Sequence, residues 1–262
     1  MAVLQKELKK GSKGFLVWSL GICFVLVICI FIYPEMKTEM EGMNNIFANM
    51  GSFTKAFGLE ELNFGTLVGY YGVECGNMLG MGGGLFAAYI GVSVLSKEEK
   101  DHTAEFLLTH PISRASVVIQ KLMAVIIQIV VMNLAIFVCS VLTVEVIGEE
   151  LPTKEWVLIH MAYFLLQIEI AVICFGISAF LKRGSIGVGL GLAAMFYFMN
   201  LICNISEEAE FLKYITPYAY ADSADIVAEM SLDKTLILLG MGYMVVMAVI
   251  GFVKYTKKDI AS

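Results

Sequence analysis

Residues 96–114 read SKEEKDHTAEFLLTHPISR, a dense run of charge between two long apolar stretches, approximately 70–95 and 115–147. Each flank is long enough to cross the ~30 Å of hydrocarbon in a bilayer, so the charged run reads as a connection between two spans. Its local chemistry is that of a short helix. Ser96-Lys97-Glu98-Glu99 matches a capping box, with Ser96 at the N-cap and Glu99 reaching back. Glu98, Glu99 and Asp101 fall in the first turn, where the helix dipole favours negative charge. Pro111 disfavours helix at His110 and ends the element, and Ser113 is placed to cap the next helix, which runs through Lys121. A short helix over about 97–110, turned by a proline corner, is therefore expected.

Working outward, the composition has the same character. Of the 262 residues, 58% are hydrophobic and 16% charged, with a mean hydropathy of +0.79. A soluble domain carries roughly 25% charged residues. The apolar blocks predict six transmembrane helices at approximately 14–33, 70–95, 115–147, 154–181, 185–203 and 232–253. The fold class expected is an all-α polytopic membrane protein, with one transmembrane domain over 1–262. With the N-terminus inside, the inner segments hold 13 of the 18 basic residues, among them Lys6, Lys9, Lys10, Lys13, Lys97, Lys100 and Arg114. The outer segments are rich in glutamate instead, from Glu35 to Glu210. Positive-inside counting thus puts both termini and the 96–114 connection in the cytoplasm. The net charge of −6 carries little information until the charges are assigned to sides.

The first apolar block follows four lysines but has no small-x-small cleavage site, and Tyr33-Pro34-Glu35 closes it, so it reads as a retained span. Ahead of it, Leu4 and Leu8 share a helical face beside Lys6, Lys9 and Lys10, which suits a short interfacial helix. Two longer segments lie outside, about 34–69 and 204–231. The first mixes Ile46, Phe47, Met50, Phe53 and Phe57 with polar residues, as an outer interfacial helix does. The six cysteines lie almost wholly in apolar blocks and read as small buried thiols. The lack of paired broken helices weighs against a secondary transporter.

The residues alone leave two readings of 96–114 open. It is either a solvated helical hairpin, or a docking surface in which Phe106, Leu107 and Leu108 sit beside a charged rim suited to a groove in another protein. A resemblance bears on that choice. The run Glu98/Glu99, Thr103, Glu105, Leu107-Leu108, Pro111, Ile112-Ser113-Arg114 and Lys121 resembles the signature of type-2 ABC exporter permeases. Tyr214-Ile215-Thr216-Pro217-Tyr218 is similar to that family's segment before the last span, and the six-span layout with both ends inside is also similar. His102 departs from the glycine many members carry. The resemblance implies that 96–114 is a coupling helix seated in a cytoplasmic ABC ATPase subunit. Its contact residues would be Glu98, Glu99, Asp101, Thr103, Glu105, Phe106, Leu107, Leu108 and Arg114. It also implies ATP and Mg on that partner, a second copy or a related permease alongside in a bacterial plasma membrane, and contact with lipid but with no nucleic acid.

Other features keep a plain reading beside a functional one. Gly72, Gly76, Gly80 and Gly84 recur every four residues on one face of the second span, and Gly187 and Gly191 give the fifth a matching step. Such steps permit close helix approach, either within one subunit or at a dimer or substrate path. Glu169, near the centre of the fourth span, must face the bundle interior or water, with Gln167 and Gln128 as candidate partners. Glu74, Asn77, Asn133 and Asn200 are weaker cases of the same kind. The methionines read as core filler. Asn204-Ile205-Ser206 matches a glycosylation acceptor but carries no functional weight. The sequence has no GxxxxGK[ST] loop and no GxSxG, and His102, His110 and His160 are scattered. The expected function is a permease subunit without a catalytic site or a cofactor of its own. The alternatives are a polytopic membrane enzyme built around Glu169 or Glu74, and a channel or transporter independent of ATP.

Overall fold

The structure is a computed structural model and describes residues 2–47, 51–56, 62–97, 112–181 and 186–257. Among these, the regular elements are helical, and six helices are long and apolar enough to cross a membrane. The chain is thus an all-α polytopic membrane protein. In order, α1 is Ala2–Phe47, α2 the short Ser52–Ala56, α3 Leu67–Ser93, α4 Arg114–Ile147, α5 Thr153–Ser178, α6 Ile186–Ile205, α7 the short Ser223–Glu229 and α8 Lys234–Lys257.

The centre of the bundle is the α3–α5 pair, whose most apolar windows are 67% and 61% buried, against 39% or less in the other four spans. The reason is residue size. At their crossing, a Cβ on Gly91 would lie 3.0 Å from Cys174 Cβ and 3.1 Å from the Ala171 carbonyl carbon, so the two backbones touch. The α5–α8 crossing uses Gly176 and Gly251 in the same way, and α6 reaches α3 through Gly189 against Val92 and Ala88. Helix α1 packs along α4. The outward faces of α1 and α8 (Val17, Leu20, Phe24; Leu238, Val245, Val249) remain apolar and exposed, as lipid requires.

Two regions differ from the sequence expectation. Helix α1 is continuous from Ala2 to Phe47, so the interfacial turn and the span are one rod, and Pro34 does not close it. At 1.5 Å per residue its 46 residues reach about 70 Å, well beyond a bilayer. Proline lacks one backbone bond inside a helix, and contacts around it secure the rod. Thr38 Oγ1 donates to Glu35 O, Lys37 pairs with Glu149 at 2.8 Å, and Tyr33 OH donates to Gly65 O.

The second region is the connection between α6 and α8, which does not stay on the surface. After a 3-10 helix at Glu207–Tyr214 the chain turns inward, and Tyr218, Tyr220, Ala221, Ala224 and Ile226 are buried. Tyr218 OH donates to Gly80 O, about 20 Å down α3 by the helical rise. Thr216 Oγ1 fixes the turn by donating to Phe196 O at 2.8 Å. Helix α3 also contains π-helical turns at Tyr71–Cys75 and Met78–Gly82, a widening that often marks functional helices.

Candidate functional site

At the base of α3 and α4 the chain builds a charged joint. Ser113 caps α4 by accepting from Ser116 N, as its position suggested. Two turns on, Lys121 is wholly buried, and its Nζ donates to Val94 O at 2.6 Å and lies 3.2 Å from Glu7 Oε1. The other Glu7 oxygen pairs with Lys97, the last described residue before the connection. A buried ammonium is tolerated only with such pairing. Leu4 N donates to Gln120 Oε1, and Arg114 Nη1 donates to Thr256 O at 3.4 Å. Both flanks of the connection are therefore tied to the ends of the chain. Ser96 Oγ donates back to Val92 O. The coupling-helix candidates Glu98, Glu99, Asp101, Thr103, Glu105, Phe106, Leu107 and Leu108 lie outside the described residues, as does the Lys182-Arg183-Gly184-Ser185 turn.

The glycines of α3 spaced four apart face side chains of the same chain, Ser223 and Leu62 at Gly72 and tyrosines at Gly76, Gly80 and Gly84. A Cβ on Gly76 would meet Ser223 Oγ at 2.7 Å and Tyr163 OH at 2.8 Å. On Gly80 it would meet Tyr163 Cε1 at 3.1 Å, and on Gly72 Ser223 Cβ at 3.1 Å. Gly84 accommodates the Tyr218 hydroxyl. A cavity of about 40 Å³ remains among these groups, with Asn77, Tyr197 and Asp222 in its lining. The glycines of α6 differ: Gly187 is exposed, and Gly191 has nothing within 4 Å of a built Cβ. The opposite, outward side of α3 presents Glu74, Met78 and Met81, one or two turns apart. Beside them Asn77 Oδ1 accepts from Tyr197 OH at 3.0 Å, which links α3 to α6.

Glu169 is 2% exposed and faces the interior. Its partner is Tyr220, which donates to Oε2 at 2.9 Å from the inward-turning segment. Gly240 of α8 leaves room for the carboxylate, since a Cβ there would come within 3.0 Å of Oε1. Neither glutamine serves that role. Gln167 donates to Leu79 O and accepts from Asn133, while Gln128 donates to Ala124 O beside Gly11. Tyr220 also lines a second cavity, of about 270 Å³, with Glu210, Asp225, Glu229 and Asp233. There a hydrogen bond from Lys213 holds the Glu210 carboxyl below its usual range.

Residues 1–260 match the family described as ABC-2 family transporter protein. The chain belongs to that family. No curated protein matches it. As an ABC-2 family protein it is a multi-pass transport component of the membrane, which is the setting for the three groups above. The sequence singled out Glu169, Glu74 and the glycines of this ABC-2 chain by composition and spacing. It did not single out Glu7, Tyr163 or Tyr220. Tyr218 was marked only through the likeness of Tyr214-Ile215-Thr216-Pro217-Tyr218 to the family's segment before the last span.

Proposed function

We propose that this chain is the permease subunit of an ATP-driven exporter and pairs with a second copy or a related permease. A separate cytoplasmic ATPase subunit, holding ATP and Mg, docks on the 96–114 connection. The setting of this reading is a bacterial plasma membrane, and lysine and arginine placement supports an orientation with that connection and both termini inside. The observation that carries the reading is the joint at Glu7, Lys97 and Lys121. A push on a connection so tied would move α1, α3 and α4 together instead of bending a loose loop. The outward face of α3 with Glu74, Met78 and Met81, and the exposed Gly187 and Gly191 on α6, support a cargo path between two such chains. Chemistry at this chain is not required. ATP-driven closure shifts the spans between inward- and outward-open states, and cargo must bind the two with different affinity.

The test is copurification from native membranes. A phosphate-loop ATPase should come down with the chain. Glu105→Ala combined with Arg114→Ala should weaken that association about tenfold, the equivalent of 1.4 kcal/mol, with membrane insertion unchanged. Unchanged association and transport in this variant would remove the docking assignment. A chain that transports without any ATPase would be an ATP-independent carrier.

A further inference from the structure

Beside the Glu7 joint, a cavity of about 210 Å³ opens between α1, α3 and α4. Helix α1 lines it with Glu7, Lys10, Gly11 and Gly14, which share one face within about 10 Å of helical rise. The glycines make the space. A Cβ on Gly11 would lie 3.0 Å from Gln128 Oε1, and one on Gly14 would lie 3.6 Å from the Tyr89 hydroxyl. Lys97, paired with Glu7, closes the end nearest the 96–114 connection. Buried Ile90, Val94 and Val125 form the apolar side of the lining. One turn beyond Gly14 the same face of α1 reaches Val17, which is 72% exposed. The apolar span begins at Phe15, so the cavity lies at the level of lipid headgroups, with a lipid-facing surface directly beyond it.

Two polar atoms on this cavity make no hydrogen bond among the described residues. Gln128 is 9% exposed, and its Nε2 donates to Ala124 O at 3.1 Å, but its Oε1 accepts from nothing. The half-buried Tyr89 hydroxyl is likewise without a partner. These atoms stand against Gly11 and Gly14, one turn apart on α1, about 4.5 Å along the axis. The charge around them is positive. Glu7 is the carboxylate of the lining among the described residues, and it already joins Lys97 to the buried Lys121. Lys10 adds a third ammonium.

A phosphodiester whose head also bears a hydroxyl matches this set. We propose that the cavity binds the headgroup of an anionic phospholipid of that kind, phosphatidylglycerol in its simplest form. Phosphate oxygens accept from Tyr89 OH and Lys10 at the level of Gly14. A headgroup hydroxyl, one turn nearer the start of α1, donates to Gln128 Oε1. The acyl chains leave along Val17. This order is the lipid's own, with the head toward the charged end of the helices and the tail along the apolar span. A choline head has neither O–H nor N–H to offer Gln128, and it brings a cation toward Lys10 and Lys97. Basic pockets between spans on a cytoplasmic face are where anionic headgroups are held. Binding of this kind requires no ATPase, so it stands or falls apart from the docking assignment.

The test is native mass spectrometry of the full chain in detergent, titrated with phosphatidylglycerol or with phosphatidylcholine of the same acyl chains. The first should form a one-to-one adduct about tenfold more readily, the worth of one charge-assisted hydrogen bond as an equilibrium constant. Lys10→Gln should bring that ratio to about two. Lys257→Gln, which removes one positive charge from the end of α8, should leave it unchanged. Gly14→Leu, which fills the cavity without altering a charge, should suppress the phosphatidylglycerol adduct. Equal adducts of the two lipids overturn the proposal, as does a ratio that Lys10→Gln leaves unchanged or that Lys257→Gln lowers equally. Displacement of the lipid by an equal concentration of soluble glycerol phosphate would make this a free-phosphate site and overturn it too. Should Lys10→Gln not accumulate, a full adduct on Gly14→Leu overturns it alone.

Discussion

Gly91→Leu is expected to abolish accumulation of the folded chain, whereas Gly191→Leu is expected to leave abundance and monodispersity in detergent unchanged. At position 91 even a methyl group meets Cys174 Cβ at 3.0 Å and the Ala171 carbonyl carbon at 3.1 Å. Part of that obstacle is backbone, which cannot rotate away, and it lies at the α3–α5 crossing around which the bundle is built. Overpacking a core costs about 1–3 kcal/mol when side chains can shift, and more when two helices must separate. Gly191 has an open surround, so within one chain leucine costs nothing there. Membrane abundance of a tagged chain and its size-exclusion profile read both outcomes. Normal accumulation of Gly91→Leu would mean that α3 and α5 do not approach as described. The contrast also separates the two uses of glycine left open by spacing alone. If Gly191→Trp folds but loses self-association or transport, the loss arises outside the chain, at a second copy or along the cargo path.

The helical class was legible because a bilayer imposes length and apolarity on each span, and both are properties of contiguous sequence. Spacing on the other side of Pro34 misled for an identifiable reason. A proline disfavours helix by about 3 kcal/mol taken alone. Here the pairing of Lys37 with Glu149, 112 residues away, and the Tyr33 bond to Gly65 hold the helix beyond it. The glycine face of α3 was equally legible as a period of four, but not what fills it. Tyr163 comes from another span, and Tyr218 from a segment whose acidic flank reads as a surface loop. Glu169 shows the same limit. Its need for a partner follows from burial, yet the partner, Tyr220, is 51 residues away on a segment with no span-like signal. Local pattern locates such groups, and only tertiary packing pairs them.

Lys121→Met is expected to destabilise the chain more than the double replacement Glu7→Gln with Lys121→Met, although the double variant removes more native groups. Lys121 is 0% exposed and satisfies both Glu7 Oε1 and Val94 O. Removing it alone strands a carboxylate whose side chain is 6% exposed, and breaking a buried pair typically costs about 3–5 kcal/mol. Lys97 still holds the other oxygen and is 21% exposed, which places the expected loss at the lower end, about 3 kcal/mol. At about 2–4 °C per kcal/mol for chains near this size, Tm in detergent should fall by about 6–12 °C. In the double variant the stranded charge is gone, and a neutral amide at position 7 can still accept from Lys97. The cost of burying an unpaired ion is then relieved, and about half of the lost Tm should return. A double variant as unstable as the single one would place the stabilisation in the Lys121 bond to Val94 O, with the charge pairing adding little. Recovery of Tm together with loss of transport would instead separate the two roles of the joint. The helices at the base of the 96–114 connection would then stand without the Glu7 bridge, but the movement passed between them would require it.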